Sequence, residues 1–109
     1  MATSVEFINY VCEQVENTGI IRPKKMFGEY MIYVNDKPIL LVCNDTVFIK
    51  IKDEIDELMK NSSCGFPYTG AKEHYILDVD DKDLCVKVIS ILEPITPVPK
   101  PKKKKEKTS

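Results

Sequence analysis

The sequence predicts an α+β protein whose antiparallel sheet is built around a three-stranded meander. Apolar runs of strand type occupy residues 30–34, 39–43 and 46–51, short turn-forming segments separate them, and amphipathic helical patterns lie on either side. Because the connections are too short for the crossovers that parallel strands need, neighbouring runs are expected to pair antiparallel. We expect one or two further strands in the sheet, and N-terminal, middle and C-terminal helices packed against it.

The two turns of the meander are predicted from residue chemistry. Asn35 and Asp36 separate the first two strands, and Asn44 and Asp45 separate the second from the third. Asparagine and aspartate tolerate the left-handed backbone angles of tight hairpin turns. The middle strand, residues 39–43, is apolar without a break, which predicts that both of its faces are covered.

The N-terminal and middle helices are predicted from capping residues and apolar spacing. Thr3 and Glu6 stand at the spacing of a capping box, so the first helix is expected to begin there and to end near residue 18. Asp53 is expected to cap a short middle helix that continues to about residue 60.

A further strand and the C-terminal helix follow. Residues 73–79 alternate apolar and polar side chains, as a half-buried strand does. Asp80 or Asp81 is expected to cap the last helix, and Pro94 marks the point where that helix is expected to stop.

Length and charge divide the chain into one acidic domain and a basic tail. The 109 residues suffice for one core, which we place in residues 1–94. Those residues carry 10 basic and 16 acidic side chains, a net charge of −6, whereas residues 95–109 carry six lysines and one glutamate. Alternating prolines and a lysine run predict that residues 95–109 are a disordered tail. An acidic domain is not expected to bind nucleic acid over a broad surface.

Nothing in the sequence indicates a membrane or secretory protein. No stretch approaches the roughly 18 consecutive apolar residues of a membrane span, and the N-terminus lacks a charged-then-apolar signal pattern. We therefore expect a cytoplasmic protein that has no membrane partner.

The residues that usually carry chemistry are too scattered to predict a catalytic or metal site. The four cysteines form no Cys-x-x-Cys pair, and His74 is the only histidine. Three of the cysteines lie in apolar runs, where a thiol behaves as a small hydrophobic group. The sequence therefore predicts a non-enzymatic protein without cofactor or metal. The alternative is a small-ligand or enzymatic role that uses Cys64, His74 or the loop of residues 66–68.

Two segments next to the meander are candidates for binding a partner. Residues 22–29 combine basic and aromatic side chains, and residues 64–72 form a loop with two aromatic rings. The candidate contact residues are Arg22, Lys24, Lys25, Glu29, Phe66 and Tyr68. A structural alternative applies to both segments: Met26 and Phe27 would pack beneath the meander beside a bulge at Gly28, and the loop aromatics would attach the loop to the core.

The basic tail is a candidate for weak nucleic-acid binding. Its lysines are Lys100, Lys102, Lys103, Lys104, Lys105 and Lys107. Together with Arg22, Lys24 and Lys25 they would bind phosphate in a salt-sensitive and sequence-tolerant way. The alternative is a tail that only keeps the protein soluble.

Two motifs resemble a known family. Residues 25–33 read KMFGEYMIY, and residues 67–72, in front of a strand, read PYTGAK. With the strands between them, these segments resemble the N-terminal domain of TfoX/Sxy competence regulators over about residues 3–93. The resemblance implies a bacterial protein with helices on an antiparallel sheet and a part in the transcriptional control of DNA-uptake genes. Full-length regulators carry a second, helical domain where this chain has its lysines, and the resemblance brings no catalytic residues.

The residues and the resemblance together predict a regulatory domain that acts by protein contact. The expected partner belongs to the transcription machinery or is another regulator. A homodimer is a further expectation, because an edge strand has unpaired backbone groups and residues 30–34 or 73–79 would be such an edge.

Overall fold

A computed structural model describes residues 4–26 and 29–98. Within these residues the chain forms two α-helices and six strands: α1 (Val5–Val15), β1 (Ile21–Met26), β2 (Glu29–Val34), β3 (Lys37–Cys43), β4 (Thr46–Lys50), β5 (Cys64–Gly65), β6 (His74–Ile76) and α2 (Lys82–Ile95). The strands make one sheet in the order β1-β2-β3-β4-β6-β5, and every neighbouring pair is antiparallel. The predicted α+β class with a central meander is confirmed, with three further strands rather than one or two.

Both meander turns form as the residue chemistry predicts. Asn35 and Asp36 have φ angles of 53° and 68°, and Asn44 and Asp45 have φ angles of 50° and 56°. Two consecutive residues in the left-handed region give a turn whose twist matches that of the flanking strands. The second turn therefore fixes the register of β3 with β4, and the first fixes only the pairs next to it, Val34 with Lys37 and Tyr33 with Pro38. Between Ile32 and Tyr33 the register shifts by one residue, so that Leu40 lies opposite Ile32 and Leu41 opposite Met31.

The edges of the sheet differ from the expectation. β2 is flanked by β1, and β6 is flanked by β5, so neither residues 30–34 nor residues 73–79 form an edge. The edge strand β1 contains Pro23, which cannot donate a hydrogen bond. The N–H of Asn35 donates to the carbonyl oxygen of Ile20 (2.9 Å), so these two residues form a hydrogen-bonded pair just before β1 and just after β2. Hydrogen-bonded and non-hydrogen-bonded pairs alternate along antiparallel strands, which makes Pro23 and Ile32 a non-hydrogen-bonded pair. The nitrogen of Pro23 therefore faces away from β2, on the side where no strand is paired. The edge position is thus what allows a proline in this strand.

Helix α1 is capped one residue later than predicted. The hydroxyl of Ser4 accepts a hydrogen bond from the N–H of Phe7 (3.2 Å), which satisfies a free amide of the first turn. Thr3 lies outside the described residues. A short 3-10 helix, Glu16–Thr18, follows α1, so helical structure ends near residue 18 as expected.

The predicted middle helix is a single 3-10 turn, Asp53–Ile55, followed by further turns. Asp53 does not cap it: the residue at the cap position is Lys52, which makes no side-chain capping bond. So short a segment recovers little of the cost of helix nucleation. The burial of Ile55 and Met59 in the core holds it in place instead.

Helix α2 begins and ends close to the predicted positions. A carboxylate oxygen of Asp81 accepts a hydrogen bond from the N–H of Leu84 (3.1 Å) at its start. At its other end Pro94 lies inside the last turn, and the helix continues to Ile95. A proline there removes one backbone hydrogen bond and leaves the rest of the helix intact. Neither α1 nor α2, the helices among the described residues, has the length and apolar character needed to cross a membrane.

The helices and the core lie on one face of the sheet. The core joins side chains of both helices to those of the strands, of the middle turn and of the segment before α2: Ile8, Val11, Val15, Ile32, Val34, Ile39, Leu40, Val42, Val47, Ile49, Ile55, Met59, Tyr75, Leu77, Val79, Cys85, Val88, Ile89 and Leu92. We expected both faces of β3 to be covered. The second face is partly covered: Cys43 is buried and Leu41 is half-buried, and no described helix lies over them.

Several predicted features fall outside the described residues. They include the packing of Phe27, the bulge at Gly28 and the tail lysines, which are Lys100, Lys102, Lys103, Lys104, Lys105 and Lys107.

Candidate functional site

The strand register identifies the side chains on the face of the sheet that points away from the helices. Lys24 pairs with Met31, Met31 with Leu41, Leu41 with Phe48, and Phe48 with Ile76. Side chains of directly paired residues project from the same face, so these five form a row across the sheet on the side away from the helices. We call this side the open face. It is apolar along most of the row and ends in a lysine.

A groove runs along the middle of the open face. Its volume is about 380 Å³, at the small end of the range of ligand pockets, which is roughly 300 to 1,000 Å³. The groove floor consists of apolar side chains and the rim of polar ones: Met31, Pro38, Ile39, Leu41 and Phe48 on the floor, with Lys50, Tyr68, Lys72 and His74 around it. No aspartate or glutamate among the described residues lines it.

Backbone and ring contacts order one side of the groove. His74 pairs with Lys50 across β4 and β6, and its Nδ1–H donates to the carbonyl oxygen of Lys72 (2.7 Å). The imidazole also meets the ring of Phe48 edge to face, with centroids 6.5 Å apart and an interplanar angle of 88°. These contacts place the loop that carries Lys72 beside the apolar floor.

Three of the six predicted contact residues lie on the open face near the groove. Lys24 pairs with Met31 of the floor, and Arg22 pairs with Tyr33, one position further along the same face. Arg22 also forms an exposed ion pair with Asp36 (3.3 Å). Tyr68 lines the groove and is 51% exposed.

The other three predicted contact residues are not brought into the groove. Lys25 pairs with Tyr30 and so projects from the opposite face. Phe66 is exposed but does not line the groove. Glu29 is half-buried, and its carboxylate accepts a hydrogen bond from the Cys43 thiol. Burial, then the charge and hydrogen bond of Glu29, raise the pKa of Cys43 to about 12.

Cys64 and His74 do not form a nucleophile and base pair. In the ladder of β5 with β6, Cys64 lies opposite Tyr75, and Gly65 lies opposite His74. Because neighbouring residues of a strand project from opposite faces, Cys64 is on the helix side and His74 is on the open face. Burial raises the pKa of Cys12, and burial followed by the charge of Asp81 raises the pKa of Cys85 to about 11. These thiols stay protonated at neutral pH.

No group of three or more His, Cys, Asp or Glu side chains among residues 4–26 and 29–98 is arranged to hold a metal ion. The acidic side chains near the start of α2 serve local contacts instead. Asp81 caps the helix, and Asp80 accepts a hydrogen bond from the Tyr10 hydroxyl, which raises the pKa of Tyr10.

Comparison with known proteins agrees with the two motifs. Residues 13–85 match the family described as the TfoX N-terminal domain. The chain belongs to this family. It is also similar to a protein of Spirochaeta aurantia named "Uncharacterized 12.7 kDa protein in trpE 5'region". The two are 32% identical over 110 residues, which cover 99% of this chain and 96% of the relative.

In this TfoX N-terminal domain, sequence reasoning missed most of the groove. Met31, Leu41, Phe48, Lys50 and Lys72 were not among the predicted contact residues. The alternation of Phe48 and Lys50 with buried neighbours in β4 was visible, and it places both on one face. What the sequence could not supply was the pairing that sets the groove residues beside each other.

The last described residue, Val98, lies near two of the cations predicted to assist the tail. It lines a depression of about 550 Å³ together with Arg22, Pro23, Lys24, Tyr33 and Asp36.

Proposed function

We propose that this TfoX N-terminal domain is a non-enzymatic, cytoplasmic interaction domain that contributes to the control of DNA-uptake genes by binding another protein through its open face. The observation that carries the proposal is the groove, whose floor includes Met31, Leu41 and Phe48 and has no helix of residues 4–26 or 29–98 above it. Apolar surface of this kind, rimmed by polar side chains, is typical of protein-binding sites. Family membership supports the regulatory part, because resemblance associates such domains with competence regulators.

The placement of the reactive residues supports a non-enzymatic role. Cys64 and His74 project from opposite faces of the sheet, so His74 does not stand next to the exposed thiol. The rim residues Tyr68 and His74 do share the groove, but the Nδ1–H of His74 is bonded to a backbone carbonyl. This bond orders the rim, and no cysteine among the described residues lines the groove beside His74.

The proposal is tested with Leu41→Asp, which introduces a charge into the groove floor. The chromosomal gene is replaced by this variant, and transcripts of DNA-uptake genes are measured against wild type and a strain lacking the gene. We expect the variant to lose the transcriptional response as fully as the deletion does. Equal protein levels, measured by immunoblot, are required for the comparison.

The matched control is Val5→Asp, which puts the same charge at a residue of α1 that is 61% exposed and lies outside the core. The control should keep the response. If Leu41→Asp also keeps it at normal protein levels, the open face is not the functional surface.

A second candidate function is nucleic-acid binding by the tail. The position of Val98 beside Arg22 and Lys24 favours it, because the tail lysines then add to an existing cationic patch. Such binding would depend on counterion release and so weaken steeply with salt. Arg22 is partly neutralised by Asp36, which limits its share.

This second candidate is tested with a labelled 20-base-pair duplex at about 50 mM NaCl. Replacing the six tail lysines by glutamine keeps the chain length and removes the charge. We expect an affinity loss of about tenfold or more and a flatter dependence on salt. An unchanged affinity would exclude the tail as the binding element.

A further inference from the structure

The open face carries lysines that are not neutralised. Lys24, Lys50 and Lys72 make no ion pair within the described residues, whereas Lys37 pairs with Glu93 and Lys60 pairs with Glu57. The surrounding domain is acidic, with a net charge of −6 over residues 1–94. A cationic patch on an acidic body attracts negatively charged partners to that patch and repels them elsewhere.

A second depression extends the same surface. It has a volume of about 230 Å³ and shares Pro38, Ile39 and Lys50 with the groove. Its other lining residues are Lys52 and, from the end of α2 and the segment after it, Leu92, Ile95, Thr96 and Pro97. No aspartate or glutamate lines it within the described part of the chain. The apolar floor is thus continuous around the end of β3, and lysines border it on both sides.

The floor fits an apolar side chain better than a nucleobase. Met31, Leu41 and Ile39 are aliphatic, and the ring of Phe48 is only 7% exposed. Bases stack on aromatic rings whose faces are accessible, and a ring covered to this extent offers little of its face. Tyr68, at the rim, is the one groove aromatic among the described residues that is largely exposed.

The sheet edges do not offer a better binding mode. β1 has Pro23 at its centre and basic side chains at Arg22, Lys24 and Lys25, which are features that block the addition of a further strand. The other edge, β5, is two residues long. A partner segment is therefore expected on the face of the sheet rather than along its edge.

We infer that the groove binds an acidic segment of a partner protein, with one apolar side chain seated on the floor between Leu41 and Phe48 and flanking carboxylates paired with Lys50 and Lys72. The inference rests on the proposed function, since it names the partner class for the same face. The apolar side chain contributes buried area, and the lysines select for charge and position.

The test is selection of displayed random 12-residue peptides on the full-length protein. Enriched peptides are expected to carry net negative charge and a Leu, Ile, Phe or Met. Fluorescence anisotropy of the best peptide then gives the affinity for wild type and variants. Lys50→Glu combined with Lys72→Glu should weaken binding by about tenfold or more, because two attractive pairs become repulsive.

The matched control combines Lys82→Glu with Lys87→Glu. Both residues are exposed on α2, so the control has the same net charge as the groove variant but leaves the groove unchanged. We expect its affinity to stay within about twofold of wild type. Two changes in the peptide should weaken binding equally. One replaces the apolar residue by serine, and the other replaces aspartate and glutamate by asparagine and glutamine.

Several outcomes would overturn the inference. They are the absence of enriched peptides, enrichment of neutral or basic peptides, and equal losses in the groove and control variants. Groove-dependent binding of a labelled dT12 strand would point to nucleic acid, and groove-dependent dimerisation in sedimentation velocity would point to a second copy of the chain. If Leu41→Asp abolishes the transcriptional response and the selection enriches only neutral or basic peptides, the proposed function stands and only the partner class is wrong. Groove-dependent binding of dT12 or groove-dependent dimerisation would overturn the binding of another protein as well. If acidic peptides bind as expected but Leu41→Asp keeps the response, the proposed function fails instead.

Discussion

The two faces of the sheet are made from the same strands but have different surroundings. On the helix side Ile32, Leu40 and Val42 are completely buried and belong to the core. On the open face their neighbours Met31 and Leu41 are half-buried and outside that core. Burial on folding accounts for the apolar residues of the first set. Burial in the core does not account for the apolar residues Met31 and Leu41 on the open face. This difference indicates that the groove has another role.

The two faces of the sheet also differ in whether their lysines form ion pairs. On the helix side, Lys37 is paired with Glu93 at 3.1 Å, and both side chains are largely buried. On the open face, Lys50 and Lys72 have no ion-pair partner among the described residues. Paired charge fastens α2 to the end of the β2 and β3 hairpin, whereas unpaired charge is available to a partner.

The largest expected effect comes from truncating adjacent leucines on the two faces. Leu40→Ala leaves a cavity in a fully buried site and should lower the free energy of unfolding by about 2–5 kcal/mol. Leu41→Ala should cost less than about 1 kcal/mol, because its side chain is not in the core. Urea denaturation of the two variants measures both values. Equal losses would mean that the open face is part of the core after all.

An intermediate effect is expected from removing one tyrosine hydroxyl on each face. The Tyr75 hydroxyl donates to a carboxylate oxygen of Asp56 (2.8 Å), so Tyr75→Phe should cost about 1 kcal/mol at neutral pH. Tyr33→Phe, on the open face, should change stability by no more than about 0.5 kcal/mol. A larger loss in Tyr33→Phe than in Tyr75→Phe would contradict this assignment.

The stabilisation by the Tyr75 hydroxyl is also expected to depend on pH. The hydrogen bond to Asp56, then burial, raises the pKa of Tyr75 to about 12. A raised pKa means that the stabilisation is complete below the ordinary tyrosine value near 10 and is lost as the pH rises through about 12. The stability difference between wild type and Tyr75→Phe should therefore shrink above about pH 10, as followed by denaturation at increasing pH.

The smallest expected effect concerns Glu93. Hydrogen bonds from Lys37 and Asn35 lower its pKa, so its contribution is complete above the ordinary glutamate value near 4.3 and is lost as the pH falls through the lowered pKa. Glu93→Gln should lower the melting temperature slightly at pH 7 and less at pH 3. Glu13→Gln, at an exposed residue of α1, should change it little at either pH. A loss in Glu93→Gln that grows on acidification would contradict the role assigned to this contact.

Local chemistry was enough to predict the meander and both long helices. The asparagine and aspartate pairs at the turns and the apolar spacing of α1 and α2 act within a few residues of chain. β1 was missed because Pro23 argues against a strand, and β5 was missed because it is only two residues long. Each is a strand only because it pairs with a neighbour, β1 with β2 and β5 with β6. The middle segment has helical spacing, yet burial of two side chains holds it as a turn.

For the candidate site, the sequence alone indicated the family, the contrast between acidic residues 1–94 and basic residues 95–109, and three residues of the open face, Arg22, Lys24 and Tyr68. The tertiary structure alone decided which residues form the groove. Lys24, Met31, Leu41 and Phe48 come from four strands, and hydrogen-bonded register places them in one row. Alternation along a strand predicts that side chains share a face, but whether a helix covers that face depends on where the rest of the chain packs.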